Sequence, residues 1–396
     1  VCRAWAMFQM ANIFCLAYNP ATAGSDLGLP YPTEPETTLV VEHERGTLAE
    51  LYQKIEADLE AGIPLIDDNL YTQPKYHFTQ AAAHAFAARF FLYYQKWDKV
   101  ISHATAALGS APERMMRDWA YIAGEMASDY ESRCNQYISS AEPANLLIET
   151  ASSSMVYWLG PYNLGRRYGL NHSAIAKKES YRTDGIWGKY GSASDLWLAH
   201  SCWGYSEKLC NSKYYGYFEY TDKVNGIGYR RNAIVRLCAN ETVLCRAEAY
   251  AMQGNYDGSV ADINLWLKYN SRNGRQVNDS IVVATYAAMN YMEGSNGQPI
   301  PASETYGTPK KRLHPLGIAI ADSIQENFIH CILHMRRAET SQEGLRWMDI
   351  KRWGIEIAHN RAYRTPDYLL VDDPRRAIQL PQDVIAAGMT PNPRNN

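Results

Sequence analysis

No run of about 20 apolar residues occurs in this 396-residue chain, so nothing in it reads as a membrane-spanning helix. It also lacks any Cys-x-x-Cys pair, and its eight cysteines fall into neither a zinc nor a thioredoxin spacing. Basic clusters are missing too: 39 Lys and Arg stand against 42 Asp and Glu, for a net charge of −3. Without a basic footprint, nucleic acid is excluded as the expected partner. Phenylalanine is scarce at 8 residues, while tyrosine reaches 29 and tryptophan 10. Phe suits dry cores; Tyr and Trp join a broad apolar face to a polar tip, which suits half-wet surfaces.

The chemistry of the common enzyme classes is equally hard to find. There is no Walker A lysine and no Gly-x-Ser-x-Gly elbow. Gly226-Ile227-Gly228 runs into Tyr229-Arg230-Arg231 without the third glycine of a dinucleotide loop. His330 and His334 have the i,i+4 spacing of a zinc-peptidase pair, but Cys331 stands where the general-base glutamate belongs. They read as packed helix histidines. No catalytic residue, cofactor or metal ligand is assigned. The adjacent acids Asp67-Asp68 and Asp372-Asp373 read as solvated turn residues, with a structural calcium ion as the alternative. Carboxylates brought together only in space, as in a glycosidase, leave no local signature.

Cys2 and Cys15 fall on one helix about 20 Å apart, too far to bridge. Cys238 and Cys245 are excluded in the same way. Cys202 and Cys210 are the best disulfide pair, with free thiols an equal reading. The chain opens with Val1 and enters the helical pattern Trp5, Phe8, Ile13, Leu16 with no capping residue. That opening reads as the middle of a helix, so the expectation is that the true N-terminus lies upstream.

Helical periodicity organises most of what is present. Residues 3–18 form an amphipathic pattern ending at Asn19-Pro20, followed by a Pro-rich loop from Ala21 to Thr38. Thr47 with Glu50 makes a capping box for a helix to about Ile63. Thr79 opens an alanine-dense helix to Tyr94, which turns at Gln95-Lys96 into a partner helix from Trp97 to Leu108. A second copy follows: a helix from Glu241 to Gln253, a Gly254-Asn255 turn, and a return helix from Tyr256 to Leu267. Superposing Trp97 on Tyr256 aligns Ala88 with Ala247, as in degenerate tetratricopeptide-like hairpins. Helices at 318–339 and 345–353 complete a scaffold assigned to 1–143 and 232–365, with a tail at 366–396. The fold class is therefore mainly α: helical hairpins in a superhelical scaffold, with an irregular loop and short-strand insertion.

That insertion, 144–231, holds ten recurring glycines and the densest aromatic stretch. From Tyr157 to Tyr229 there are eleven tyrosines, four tryptophans and Phe218. Flat rings cover the apolar C–H faces of pyranoses at little conformational cost, and hold extended peptides in the same way. The candidate ligand-binding residues are Tyr157, Trp158, Tyr162, Tyr168, Trp187, Tyr190, Trp203, Tyr205, Tyr214 and Tyr215. Asn163, Arg166, Arg167, Asn171, Asp184 and Lys189 are the polar neighbours available for hydroxyls or amides. The blander reading is that most of these rings pack the insertion onto the helices. The loop from Gly24 to Tyr31 is a second candidate wall.

Three segments resemble the SusD/RagB family of outer-membrane nutrient-binding lipoproteins. Asp26-Leu27-Gly28-Leu29-Pro30, running to Thr33-Glu34-Pro35, is similar to the family's LGIP…TEP loop. Arg336-Arg337-Ala338-Glu339 with Glu343-Gly344-Leu345-Arg346-Trp347-Met348-Asp349-Ile350-Lys351-Arg352-Trp353-Gly354 is similar to its most specific signature, with Met335 where a glutamate is usual. Leu380-Pro381-Gln382 and Pro391-Asn392-Pro393 resemble its C-terminal motif. By spacing, Arg346, Asp349 and Arg352 can pair at i,i+3 as an internal clasp, while Trp347, Ile350 and Trp353 share another face. The resemblance implies a single SusD-like domain over 1–396 with no enzymatic activity. It implies a surface protein of the outer membrane, attached through a lipid anchor outside this sequence. Its role would be to deliver oligosaccharide to a SusC-like TonB-dependent transporter. Peptide is the alternative ligand, a helical glycoside hydrolase a less favoured activity, and a helical-repeat scaffold for protein partners a third reading.

Overall fold

Thr47 and Thr79 start helices as their sequence context requires. Their hydroxyls accept from Glu50 N and Ala82 N at 3.2 Å each, and Glu50 returns a bond to Thr47 N at 3.0 Å, closing the capping box. The computed structural model describes residues 1–35, 37, 43–124, 129–159, 179–182, 184–190, 193–202, 210–293, 297–300, 307–361 and 364–394. In chain order its α-helices are α1 (Cys2–Phe14), α2 (Leu48–Gly62), α3 (Gln80–Tyr93), α4 (Trp97–Leu108), α5 (Trp119–Gly124), α6 (Tyr130–Tyr137), α7 (Met155–Leu159) and α8 (Trp197–Ser201). They continue with α9 (Ala239–Met252), α10 (Tyr256–Asn270), α11 (Asp279–Ala287), α12 (Ser323–Glu339), α13 (Leu345–Arg352) and α14 (Gln382–Ala386).

The two hairpins are α3–α4 and α9–α10, and α9 packs on both α3 and α4. Alanines at 82, 83, 85, 87 and 88 are buried and let the backbones approach. The hairpin turns are built alike from different residues. Gly254 takes φ +73°, and Gln95, its counterpart under the superposition, takes φ +64°. A glutamine in that region is strained, and its side chain is held by Tyr18 O at 3.1 Å and Leu316 O at 3.0 Å. Phe8, Leu51, Ile55, Phe86 and Phe90 form one core, while Leu244, Trp266, Phe328, Ile332 and Trp353 form another. Helix α9 belongs to both, through Cys245 and Ala249 on one side and Ala247 and Ala251 on the other. It is buried on nearly every face, as its apolar and small residues require.

Strand β1 (Asn145–Ser152) pairs with β5 (Ile227–Cys238), and β5 pairs with β4 (Tyr217–Asp222), all antiparallel, in the order β1-β5-β4. Short strands β2 (Lys189–Tyr190) and β3 (Ala193–Ser194) pair with each other. Some expectations need correction. Helices α5, α6 and α11 carry no strong apolar period and were not expected; α12 begins at Ser323 rather than 318, where Asp322 caps Gln325 N at 2.8 Å. A hairpin of β6 (Ile357–Arg361) and β7 (Arg364–Leu369) runs across residue 366, the expected start of the tail. The eight cysteines are free thiols, Cys202 and Cys210 included. Cys202 Sγ lies 3.2 Å from Asn211 Oδ1 instead of bridging.

The three motif segments meet at the C-terminal end of α1. A helix leaves its last carbonyls without intrahelical partners, and here they are taken by side chains from far along the chain. Lys351 Nζ donates to Asn12 O at 2.8 Å and also to Cys15 O. Asn392 Nδ2 donates to Phe14 O at 2.8 Å. Arg45 donates to Asn392 Oδ1 and to Gly28 O, 2.7 Å each, and so ties in the glycine-proline loop. Burial pushes the Lys351 ammonium down to about 7. The motifs are thus structural.

A second convergence lies deeper. Six buried charges alternate along one chain of contacts: Arg89, Glu241, Arg336, Asp349, Arg352 and Glu248. The separations are 3.1 Å from Arg89 to Glu241, 3.2 Å from Glu241 to Arg336, and 3.1 Å from Arg336 to Asp349. They continue at 2.8 Å from Asp349 to Arg352 and 2.7 Å from Arg352 to Glu248. Burial pushes the Glu241 and Asp349 carboxyls up, yet the flanking guanidinia outweigh it and hold both below the ordinary range. The Asp349–Arg352 part of the expected clasp is present. Arg346 is not in it; it points elsewhere, as described below. Removing one member leaves a buried charge without compensation, which costs about 3–5 kcal/mol. Asp349→Ala is expected to lose that much stability in urea unfolding, whereas Arg375→Ala, in the exposed pairs with Asp367 and Asp373, loses no more than about 1 kcal/mol. Equal effects would refute the ranking.

Candidate ligand-binding surface

Strand β5 is 12 residues long, and its two halves have different surroundings. From Asn232 to Cys238 it is mostly buried beside β1; from Ile227 to Arg231 it runs out with β4 as a two-stranded arm. The arm turns at Asp222, whose carboxylate accepts from Val224 N at 2.9 Å and Asn225 N at 3.1 Å. Side chains two apart on a strand share a face, so Phe218 and Tyr220 stand together, 43% and 53% exposed, with ring centroids 4.8 Å apart in an edge-to-face pair. Gly228 lies opposite Tyr220, where a Cβ would come within 2.1 Å of Glu219 O and 2.8 Å of the Phe218 ring. Tyr229 is 59% exposed on the other face, beside the Arg231–Glu219 ion pair at 2.5 Å. Folding leaves these rings in water, and a ligand with a flat apolar face can cover them.

The sequence candidates fare unevenly. Tyr162, Tyr168, Trp203 and Tyr205 lie outside the described residues, as do the side chains of Tyr157, Trp158 and Tyr190 and the polar candidates Asn163, Arg166, Arg167 and Asn171. Trp187 is corrected from surface to core: it is 0% exposed, 4.4 Å from the His334 ring and 6.4 Å from that of Trp266. Gly185 makes this possible, since a Cβ there would meet the indole at 2.7 Å. Tyr214 is likewise core, 2% exposed, its hydroxyl satisfied by Gln342 O at 2.9 Å. Tyr215 is half-buried, donates to Glu131 at 2.7 Å and lies 5.3 Å from the Tyr217 ring at the base of the arm. Asp184 is paired with Arg182 at 2.7 Å. Tyr220 and Tyr229 were not singled out from the sequence. The signal for them was the alternation Phe218-x-Tyr220 before an Asp-to-Gly turn.

The second candidate wall does border a cavity. About 390 Å³ lies between Ser25, Asp26 and Leu27 of that loop and Asp372, Asp373 and Asn392 of the tail. Asp67 and Asp373 cap turns, accepting from Asn69 N at 3.0 Å and Arg375 N at 2.8 Å. Among the described residues no three His, Cys, Asp or Glu side chains gather as metal ligands. His330 and His334 are packed inside α12, and burial lowers both.

Paired helical hairpins that carry an aromatic, strand-bearing insertion define a mainly helical class of fold. Residues 1–92 match the family SusD-like_3, described as starch-binding associating with outer membrane. No curated protein sequence matches the chain. A SusD-like carbohydrate binding protein from Bacteroides vulgatus ATCC 8482 superposes with a TM-score of 0.54 at 15% identity, covering 93% of this chain and 67% of that one. A SusD superfamily protein from Bacteroides thetaiotaomicron VPI-5482 gives 0.57 at 17%, covering 99% and 76%. Another from Bacteroides fragilis gives 0.56 at 18%, covering 97% and 73%. The chain shares the fold of these solved proteins over nearly its whole length, and its first 92 residues are similar to that family. Gly228→Ala is expected to loosen the arm by about 1–3 kcal/mol, raising tryptic cleavage after Lys223 roughly tenfold; an unchanged cleavage rate would contradict the close packing at Gly228.

Proposed function

We propose that this protein captures oligosaccharide at the outer-membrane surface and passes it to a TonB-dependent transporter without chemically altering it. The observation that carries the reading is the exposed ring pair Phe218 and Tyr220 on an arm that projects from an ion-locked scaffold. The starch-binding description of the matching family supports a glycan ligand over a peptide. No described helix is long and apolar enough to cross a membrane, so an anchor or the transporter itself would hold the protein at the surface.

A glycosidase acid must hold its proton near neutrality, which burial or a like charge achieves by raising its pKa. Asp262 and Glu339 are carboxyls pushed up, each chiefly by burial. Both are closed inside the scaffold. Asp262 is paired with Arg246 at 2.7 Å, and Glu339 accepts from Trp266 Nε1 at 2.8 Å. Neither is placed to reach a sugar.

Calorimetry against soluble starch, other oligosaccharides and peptides tests the ligand class. Phe218→Ala with Tyr220→Ala is expected to weaken glycan binding at least tenfold, on the order of 1–3 kcal/mol for two stacking rings, with the unfolding midpoint unchanged. Binding of peptide alone, or full glycan affinity in the double variant, would overturn the proposal.

A further inference from the structure

Arg346 opens the first turn of α13, and its Nη1 is buried with no hydrogen-bond partner. Among the described residues its guanidinium makes no hydrogen bond or ion pair, unlike Arg336 and Arg352 nearby, which each hold two carboxylates. It lines a cavity of about 310 Å³ together with Glu179, Lys311, Arg337, Ile350 and Ile357. The carboxylate of Glu179 is already taken, by Arg337 at 2.7 Å and Lys311 at 3.3 Å. Glu356, also on the lining, accepts from Val371 N at 3.1 Å and lies 4.0 Å from His314. The cavity therefore holds three cations against two carboxylates, and Arg346 is the one left over. Burial, then the neighbouring Arg337, pushes its guanidinium down to about 9.

Arg346 is half-buried, and the nearby Asp349 and Glu179 favour its charge only from a distance; a guanidinium nitrogen buried without a hydrogen-bonded carboxylate is costly and is relieved when an anion arrives. A guanidinium presents a planar fork of N–H donors that matches a carboxylate with two parallel bonds. The volume sits at the small end of the roughly 300–1,000 Å³ range of ligand pockets, and the isoleucine walls suit the C–H face of a ring. We infer that this cavity is a second saccharide subsite, one that takes a carboxylate-bearing sugar, a uronic acid, with its carboxylate on Arg346. The inference rests on the glycan-binding reading, but the site is separate from the β4–β5 arm and can fail alone.

The test uses the intact protein and titrates glucuronate and galacturonate, with glucose, galactose, acetate and inorganic phosphate as controls, by calorimetry and by NMR. Uronates are expected to bind and neutral sugars not to. Arg346→Met should weaken uronate at least about 30-fold, and Arg346→Lys by less. Phe218→Ala should leave it unchanged. In the absence of ligand, Arg346→Met should unfold at the same temperature as the parent or higher, because it removes a charge that no described residue pairs; a purely structural arginine would give a lower midpoint. The inference is overturned if uronates do not bind, if acetate or phosphate binds as tightly, or if Arg346→Met keeps the affinity. Neutral oligosaccharide still bound through the arm would then leave the broader function standing.

Discussion

Six alternating charges sealed from water set the arrangement of the helices. Arg89 comes from α3, Glu241 and Glu248 from α9, Arg336 from α12, and Asp349 and Arg352 from α13. A hydrophobic contact tolerates sliding, whereas a buried guanidinium needs its carboxylate at hydrogen-bonding distance. Buried ion pairs add little net stability over apolar packing, but breaking one is costly. The network therefore ties α3, α9, α12 and α13 together at hydrogen-bonding distance. The same logic holds at the end of α1, where Lys351, Asn392 and Arg45 take up its terminal carbonyls.

A registered scaffold frees the insertion from holding the fold together. The buried half of β5 is fastened by β1, and the exposed half carries rings that no core needs. This division explains how one strand can be both foundation and contact surface. Preorganised aromatic faces cost little entropy on binding, which suits a protein that must capture and release its ligand rather than retain it. The Arg346 cavity follows a different rule. There, a charge that the scaffold does not use faces a space of sugar-ring size.

Much of the scaffold was legible because its signals are local. The Thr47–Glu50 box, the alanine face of α3 and the two turns each depend on residues within one or two helical turns. Asp349 and Arg352 could be paired from an i,i+3 spacing, but Glu241, Glu248 and Arg89 could not, since they lie roughly 100 to 260 positions away and nothing in their neighbourhoods marks them. Arg346 had the same spacing as Arg352 and a different fate, decided by which partners the tertiary fold supplies. Aromatic residues were the least readable. A glycine beside Trp187 looked like the mark of an exposed loop, yet it is what lets the indole turn into the core. Phe218 and Tyr220 are exposed because no described element covers their half of the strand, a property of topology and not of composition.

Hydrogen exchange with and without a bound neutral oligosaccharide tests the division between scaffold and adhesive arm most directly. Slower exchange is predicted across residues 217–231, with α3–α4 and α9–α10 unchanged. Protection centred on the helical hairpins or on the loop near Asp26, with the arm unaffected, would contradict it.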